Sequence, residues 1–295
     1  MDDLMSDVDN IMARLTNLER DLEKVSIVTS EMRALVGPFG VPLPGDLMLV
    51  QTLHGTKYII DPNDRIMAPQ LIIYRQWEAD LSALFLLNVD KDSVVVDVGA
   101  NFGYFTCLAG SRIGNSGSGF VTAVEPNPKL LALLRDNCRI NWSMAPIHIH
   151  GCAAGNEPGI ATLSIPRNGA ANASLSKLAG DNDQVDVEII TIDSIIPSDI
   201  SVDIMKIDVE GHELAVLKGA KSTIDRSPSI NIVMEWSVPQ MHAAGVSTRE
   251  MISGLQDLAL IPKRIPQSGM LPDAVPMSWD NLASLEYDNI ILSRK

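Results

Sequence analysis

Four apolar runs in this chain each lead into an acidic residue. Val94–Val96 meets Asp97, Phe120–Val124 meets Glu125, Val202–Ile207 meets Asp208, and Ile230–Met234 meets Glu235. A carboxylate at the end of a buried strand needs a partner, because desolvation penalises an unpaired charge. A cationic ligand, ribose hydroxyls or a metal ion would each supply one. Beyond Asp97 the chain reads Val98-Gly99-Ala100-Asn101-Phe102-Gly103. Glycines here let a ligand approach the backbone, since no Cβ intervenes. The spacing is Asp-x-Gly-x-Asn-x-Gly, not the Gly-x-Gly-x-x-Gly of a dinucleotide site, so a nicotinamide cofactor fits poorly. An acid placed like Glu125 can accept from both hydroxyls of a ribose, as also occurs in NAD-binding folds. Pro126 and Asn127 would then shape the wall beside an adenosine. Gly151–Gly155, including Ala153, would line the adenine.

The elements that position these residues alternate in type. Val94–Val96 is β-branched, as a strand buried on both faces requires. The turn at 97–103 feeds a helix over 104–113, and a strand-turn-helix of this kind forms a nucleotide-type crevice. Strands follow at 120–124, 147–150, 161–165, 185–192, 202–207, 230–234 and 288–293, with helices at 129–141, from the 208–213 segment to about 218, and at 248–258. This succession predicts an α/β fold with a doubly wound, mostly parallel sheet. Two short strands at 47–53 and 58–61 and a helix over 70–87 precede it. His148 and His150 share one strand face, but two ligands do not make a metal site. Residues 262–282 carry four prolines and are expected to be a long irregular loop.

Residues 1–36 carry an apolar stripe from Leu4 through Val8, Ile11, Leu15, Leu18, Leu22 and Val25 to Met32 and Val36. Steps of four and three over about four and a half heptads predict a coiled-coil helix that makes the chain a homo-oligomer. Gly37–Gly45 is rich in breakers and reads as a linker. That leaves 46–295 as the catalytic domain with an N-terminal hairpin and helix. The net charge of −14 argues against nucleic acid as a main partner. Three cysteines without Cys-x-x-Cys spacing read as reduced thiols, so a cytoplasmic location is expected. No apolar run reaches membrane-spanning length.

The 97–103 turn resembles the first motif of class I S-adenosylmethionine-dependent methyltransferases, and in particular the FkbM-like family with its Asp-x-Gly-Ala-Asn-x-Gly turn. A second run, Lys206-Ile207-Asp208-Val209-Glu210-Gly211-His212-Glu213, is similar to that family's Lys-Ile-Asp-x-Glu-Gly-x-Glu. Thr191-Ile192-Asp193, Gly219-Ala220 and Ile232–Glu235 also match, so the resemblance covers roughly residues 55–240. It implies a Rossmann-like methyltransferase using S-adenosylmethionine, and O-methylation of a sugar, glycan or other small hydroxylated natural product. Asp97, Gly99, Ala100, Asn101, Gly103, Glu125, Pro126, Asn127 and Ala153 would then surround the donor. Glu78, preceded by Trp77, matches an aromatic-plus-Glu pair that lies near the cofactor in the family. Asn168–Ser174 would contact the acceptor.

The acceptor proton needs a base. Asp208 ends a central strand and faces the crevice. His212 follows four residues on, about one turn if a helix begins at the motif, and its ordinary pKa near 6.5 suits the role. His212 is therefore the candidate base, with Asp208 and Glu235 orienting it or holding a divalent metal. A rival assignment gives Asp208 to the donor's amino group and leaves His212 at the surface. Two other functions stay open at this level: an NAD(P)-dependent oxidoreductase, and a non-catalytic scaffold whose working part is the coiled coil.

Overall fold

The computed structural model describes residues 39–166, 173–175 and 182–294, together with Met12, Arg14 and Leu15. The chain divides into two units, Met1–Phe39 and Gly40–Lys295. In the first, Met12, Arg14 and Leu15 are helical and exposed; the rest of the heptad stripe lies outside the described residues. The second unit holds every element that follows.

It opens with β1 (Val41–Leu43), β2 (Leu47–Gln51) and β3 (Lys57–Ile60), an antiparallel three-stranded sheet. The segment read as linker therefore contributes a strand: Val41 pairs with Leu49 and Leu43 with Leu47. Next come a helical turn at Met67–Pro69, a π-helix at Gln70–Tyr74, and α1 (Ala79–Asn88). The single helix expected over 70–87 is thus broken at Arg75–Glu78, where Arg75 and Glu78 take left-handed φ values of 58° and 40°. Three hydrogen bonds hold the break. The Tyr104 hydroxyl accepts from Trp77 N at 3.1 Å and pairs with Ser82 Oγ at 2.9 Å, and Ser82 Oγ donates to Trp77 O at 2.5 Å.

The α/β part then runs β4 (Val94–Val98), α2 (Tyr104–Ile113), β5 (Phe120–Val124), α3 (Pro128–Ile140), β6 (Ile147–His150), β7 (Ala153–Ala154), β8 (Gly159–Pro166) and β9 (Asn182–Ile190). It continues through α4 (Ile192–Ile195), β10 (Ile204–Ile207), α5 (Glu213–Gly219), α6 (Lys221–Arg226), β11 (Asn231–Ser237), α7 (Val238–Ala243), α8 (Thr248–Asp257), β12 (Leu260–Arg264), α9 (Trp279–Ala283) and β13 (Tyr287–Arg294). Seven strands form the central sheet in the order β12-β13-β11-β10-β4-β5-β6. The five from β11 to β6 are parallel to their neighbours, whereas β13 is antiparallel to both β11 and β12. The doubly wound, mostly parallel sheet is as the alternation of strand and helix required. The irregular loop expected at 262–282 is shorter, because its start belongs to β12 and a short helix, α9, begins at Trp279. Pro262 is tolerated in β12 because that strand lies at the sheet edge. A separate small sheet, β7-β9-β8, stands beside the main one.

Period-two alternation divides the core. Val94, Val96 and Val98 pack with Met205, Ile207, Ile232, Met234 and Trp236 on one face. Val95, Ile204, Val233 and Ile291 pack on the other, with Phe85 of α1 and Phe105 of α2, whose rings lie 5.1 Å apart. The same alternation assigns Asp97, Lys206 and Glu235 to this second face, at its carboxyl edge. Asn137 of α3 ties the hairpin to the central turn: it exchanges hydrogen bonds with Ile59 and donates to Phe102 O at 2.8 Å.

Candidate active site

A cavity of about 330 Å³ opens at the carboxyl ends of β5, β4, β10 and β11. This is where an open α/β sheet reverses its winding order and binds ligands. The strand order lays the lining residues out in a row. Glu125 and Pro126 follow β5, Gly99–Asn101 follow β4, Lys206 and Asp208 stand on and after β10, Glu235 lies on β11, and Tyr287 begins β13. Ala153, Leu163, Ala173 and Leu175 wall it from the small sheet's side, and Trp77 and Glu78 from the broken helix. Residues 168–172 of the expected acceptor loop lie outside the described residues.

The central turn is built by its own backbone. Gly99 and Ala100 donate to Val124 O, each at 3.0 Å. Gly99 sits at φ +75°, and a Cβ there would lie 1.8 Å from Asp208 O. Its glycine is thus demanded by the neighbouring strand end. Gly103, at φ +93°, has a similar reason: a Cβ would meet Leu134 Cδ1 at 2.5 Å, so it seats α3 against the turn. Neither Gly103 nor Asn127 lines the cavity; Asn127 is the N-cap of α3, accepting from Lys129 N at 3.1 Å.

Glu125 is 5% exposed. Its Oε2 accepts from Asn101 N and its Oε1 from Asn127 N, both at 2.8 Å. One carboxylate thereby fixes two turns, and a lone pair on each oxygen is left for ribose hydroxyls. Burial pushes its pKa up to about 7 against the pull of those two amides.

Asp97 is 1% exposed and sits within β4, behind the cavity wall. Its Oδ2 accepts from Thr106 Oγ1 at 2.5 Å. Oδ1 has no protein partner, so it can still receive a donor. Burial raises its pKa and the nearby Lys206 charge opposes the rise. Lys206 stands beside Asp97 in the parallel register and is 5% exposed. Its ammonium donates to Asp208 Oδ2 at 3.0 Å and lies 5.3 Å from the Phe105 ring centre. Burial works against that charge, but Asp208, Asp97 and Glu78 outweigh it and the pKa rises. Among the described lining residues Lys206 is the sole lysine or arginine. A charged residue inside an apolar strand gives it away in the sequence; its pairing emerges only from the register.

The second motif is explained residue by residue. After Asp208 the chain turns at Glu210 (φ +56°) and Gly211 (φ +102°). A Cβ on Gly211 would stand 2.4 Å from Gln240 O. Glu213, buried at 2% exposure, closes the turn by accepting on Oε1 from Gly211 N at 3.0 Å and Val209 N at 3.3 Å. The helix begins only at Glu213, with His212 as its N-cap. Asp208 and His212 are therefore not one helical turn apart, although the turn brings both to the cavity. His212 is half-buried, and burial lowers its pKa. Glu210 Oε2 accepts from Gln240 Nε2 at 2.5 Å.

Glu235 lies within β11 and not at its end. It faces Asn289 across the ladder, and its Oε2 is buried without a protein partner. Burial, then Asp208 and Glu210, push its pKa up to about 8, while a hydrogen bond from Tyr287 opposes the rise. Glu78 accepts from Asn289 Nδ2 at 3.3 Å, and burial raises its pKa as well. Tyr287 and Asn289 belong to the last strand and carry no motif that would single them out. Among the described residues no three His, Cys, Asp or Glu side chains gather as a metal-binding set, and Lys206 already neutralises Asp208.

Residues 97–259, more than half of the chain, match the family described as the methyltransferase FkbM domain. The chain belongs to the FkbM methyltransferase family. Its methyl donor is accordingly S-adenosylmethionine, and the residues present suit that molecule. The cavity lining is acidic and the donor is cationic, and the spare lone pairs of Glu125 can take its hydrogen-bond donors. The FkbM match begins at Asp97, so Glu78 and Tyr287 lie outside it. Hexuronic acid methyltransferase AglP of Haloferax volcanii is 27% identical over 186 residues, covering 62% of this chain and 70% of that protein. Methyltransferase 1 of Beauveria bassiana is 26% identical over 149 residues, which span 43% of this chain and 58% of that relative's length. Among solved structures, a SAM-dependent O-methyltransferase from Thermotoga maritima aligns with TM-score 0.42 and 14% identity, covering 83% of this chain and 77% of that one.

Proposed function

We propose that this FkbM-family chain transfers a methyl group to a hydroxyl oxygen of a sugar, a glycan or another small natural product, with His212 as the general base. The observation behind this reading is the setting of His212. It lines the cavity in the turn that follows Asp208 and Glu210, and burial lowers its pKa, which favours the neutral imidazole, the state that accepts a proton. The carbohydrate relative from Haloferax volcanii supports a sugar-type acceptor.

S-adenosylmethionine supplies an activated methyl on a sulfonium. The nucleoside end falls to Gly99–Asn101, Glu125, Pro126 and Ala153, with Asn127 and Gly103 shaping the wall from behind. The methionyl end falls to Glu78, with Asp97 backing the wall beside Lys206. His212 takes the hydroxyl proton as the oxygen attacks, and Asp208 and Glu235 orient the acceptor. Alignment of oxygen, methyl and sulfur accounts for much of the remaining rate. The heptad stripe of residues 1–36 serves self-association.

The test is single-turnover methyl transfer with labelled donor. His212→Ala should lower the rate by about 100- to 10,000-fold and leave donor affinity within about twofold of wild type. A wild-type rate at saturating donor and acceptor would remove His212 from the chemistry. Loss of activity to a chelator would transfer the role to a metal.

A further inference from the structure

The cavity has two chemically different ends. At the β5 end, Glu125 already holds two backbone amides and its neighbours are small or apolar: Ala100, Val124, Pro126, Ala153 and Ala154. At the β10–β11 end stand Asp208, Glu210 and Glu235, with Glu78 across from them. Lys206 is the one lysine or arginine among the described lining residues, and its ammonium is committed to Asp208.

The hydrogen-bond inventory at this end is equally one-sided. Glu235 Oε2 and Gln240 Oε1 are buried acceptors without a protein donor. The Gln240 amide is spent on Glu210. A ligand that fills this end must bring donors and positive charge, since buried acceptors left unmatched cost stability. The methyl donor brings one net positive charge, from its ammonium and sulfonium less its carboxylate. Glu78, Asp208, Glu210 and Glu235 bring four carboxyl groups against the single ammonium of Lys206.

We infer that the acceptor carries a protonated amine, seated between Glu210, Glu235 and Gln240, and that anionic acceptors are turned away, in contrast to the sugar acid for which the Haloferax volcanii relative is named. This rests on the reading that methyl transfer takes place at the β10–β11 end. The acids themselves show the demand for a cation. Burial first, and then the neighbouring carboxylates Asp208 and Glu213, push Glu210 up to about 7. Burial, Asp208 and Glu210 push Glu235 up to about 8. An ammonium at this place replaces those protons.

Calorimetry on the protein saturated with S-adenosylhomocysteine tests this, using three matched probes: methyl glucosaminide, methyl glucoside and methyl glucuronide. The glucosaminide should bind about tenfold tighter than the glucoside, as expected for one amine beside partly buried acids, and the glucuronide weakest of all. Combined Glu210→Gln and Glu235→Gln should bring the glucosaminide and glucoside within about twofold of each other. A glucosaminide that binds no better than the glucoside, or not at all, overturns the inference. So does a preference that survives in the folded double variant. The ranking in the wild-type protein decides the matter if the variant does not fold. The O-methylation reading fails separately: an amine preference with methyl found on nitrogen, or on no hydroxyl of any acceptor, would remove that reading and leave the charge preference standing.

Discussion

Adding one methyl group at Gly99 tests whether the central turn and the end of β10 are fastened to each other. In Gly99→Ala the new Cβ would lie 1.8 Å from Asp208 O and 2.9 Å from its carbonyl carbon, where ordinary contact begins at 3.4 Å. The obstruction is backbone, so no side chain can rotate away. Relief requires parting β4 from β10 near the bond from Asp208 N to Val98 O, now 3.0 Å. A left-handed residue with a Cβ costs about 1 kcal/mol or more, overpacking about 1–3 kcal/mol, and a weakened ladder bond about 1 kcal/mol. The sum is about 3–5 kcal/mol, or roughly 6–20 °C of melting temperature at about 2–4 °C per kcal/mol for a domain of this size. Displacing Asp208 also separates it from Lys206, so donor affinity should fall in whatever fraction still folds. Scanning calorimetry and a donor-binding isotherm on the same sample read both effects. A Gly99→Ala protein that melts within a degree or two of wild type and binds donor normally would refute the packing argument.

Three further outcomes are expected. Glu213→Ala leaves the buried amide of Gly211 and the partly buried amide of Val209 without their acceptor and should cost about 2–4 kcal/mol in denaturant unfolding; Glu213→Gln keeps Oε1, which alone takes both bonds, and should cost under about 1 kcal/mol. Without donor, the protein should lose stability as pH rises from 6.5 to 8.5. Glu125, Glu210 and Glu213 are held at about 7 and Glu235 at about 8 in the fold, above their unfolded values, so folding takes up protons that higher pH withdraws. Burial lowers His212, an effect confined below pH 6.5, and bound donor should shrink the trend; melting temperatures that rise across this window would contradict it. Finally, a chain beginning at Gly37 should be smaller in light scattering than the intact one, and an unchanged assembly state would place association in the catalytic domain.

The parts of the site that were legible are those whose chemistry and position coincide in the sequence. Glu125 and Asp208 close apolar runs, and the structure puts both at the cavity. Period two alone would have separated Asp97 from Val96 and Val98, and hence turned it toward α2 and away from the open crevice. What stayed hidden depends on pairing between distant segments. The parallel register brings Lys206 beside Asp97, and the antiparallel return of β13 brings Asn289 opposite Glu235. The break at Arg75–Glu78 was missed because its apolar spacing is helical; hydrogen bonds from Tyr104 and Ser82 hold it open. Gly103 was legible as a glycine requirement, but its cause is a leucine on α3 and not a ligand.

The placement of β13 between β11 and β12 bears on how the molecule assembles as it is made. During synthesis β12 emerges before β13, yet it has no strand to pair with until β13 arrives, since β11 and β12 never touch as neighbours. The sheet therefore cannot close in chain order at this end. While about fifty intervening residues are added, β11 presents an open apolar edge, the state in which nascent chains associate wrongly or recruit chaperones. The nucleoside half, β4 to β6, can settle early, so a nascent chain would hold the donor's cradle before it holds any place for an acceptor.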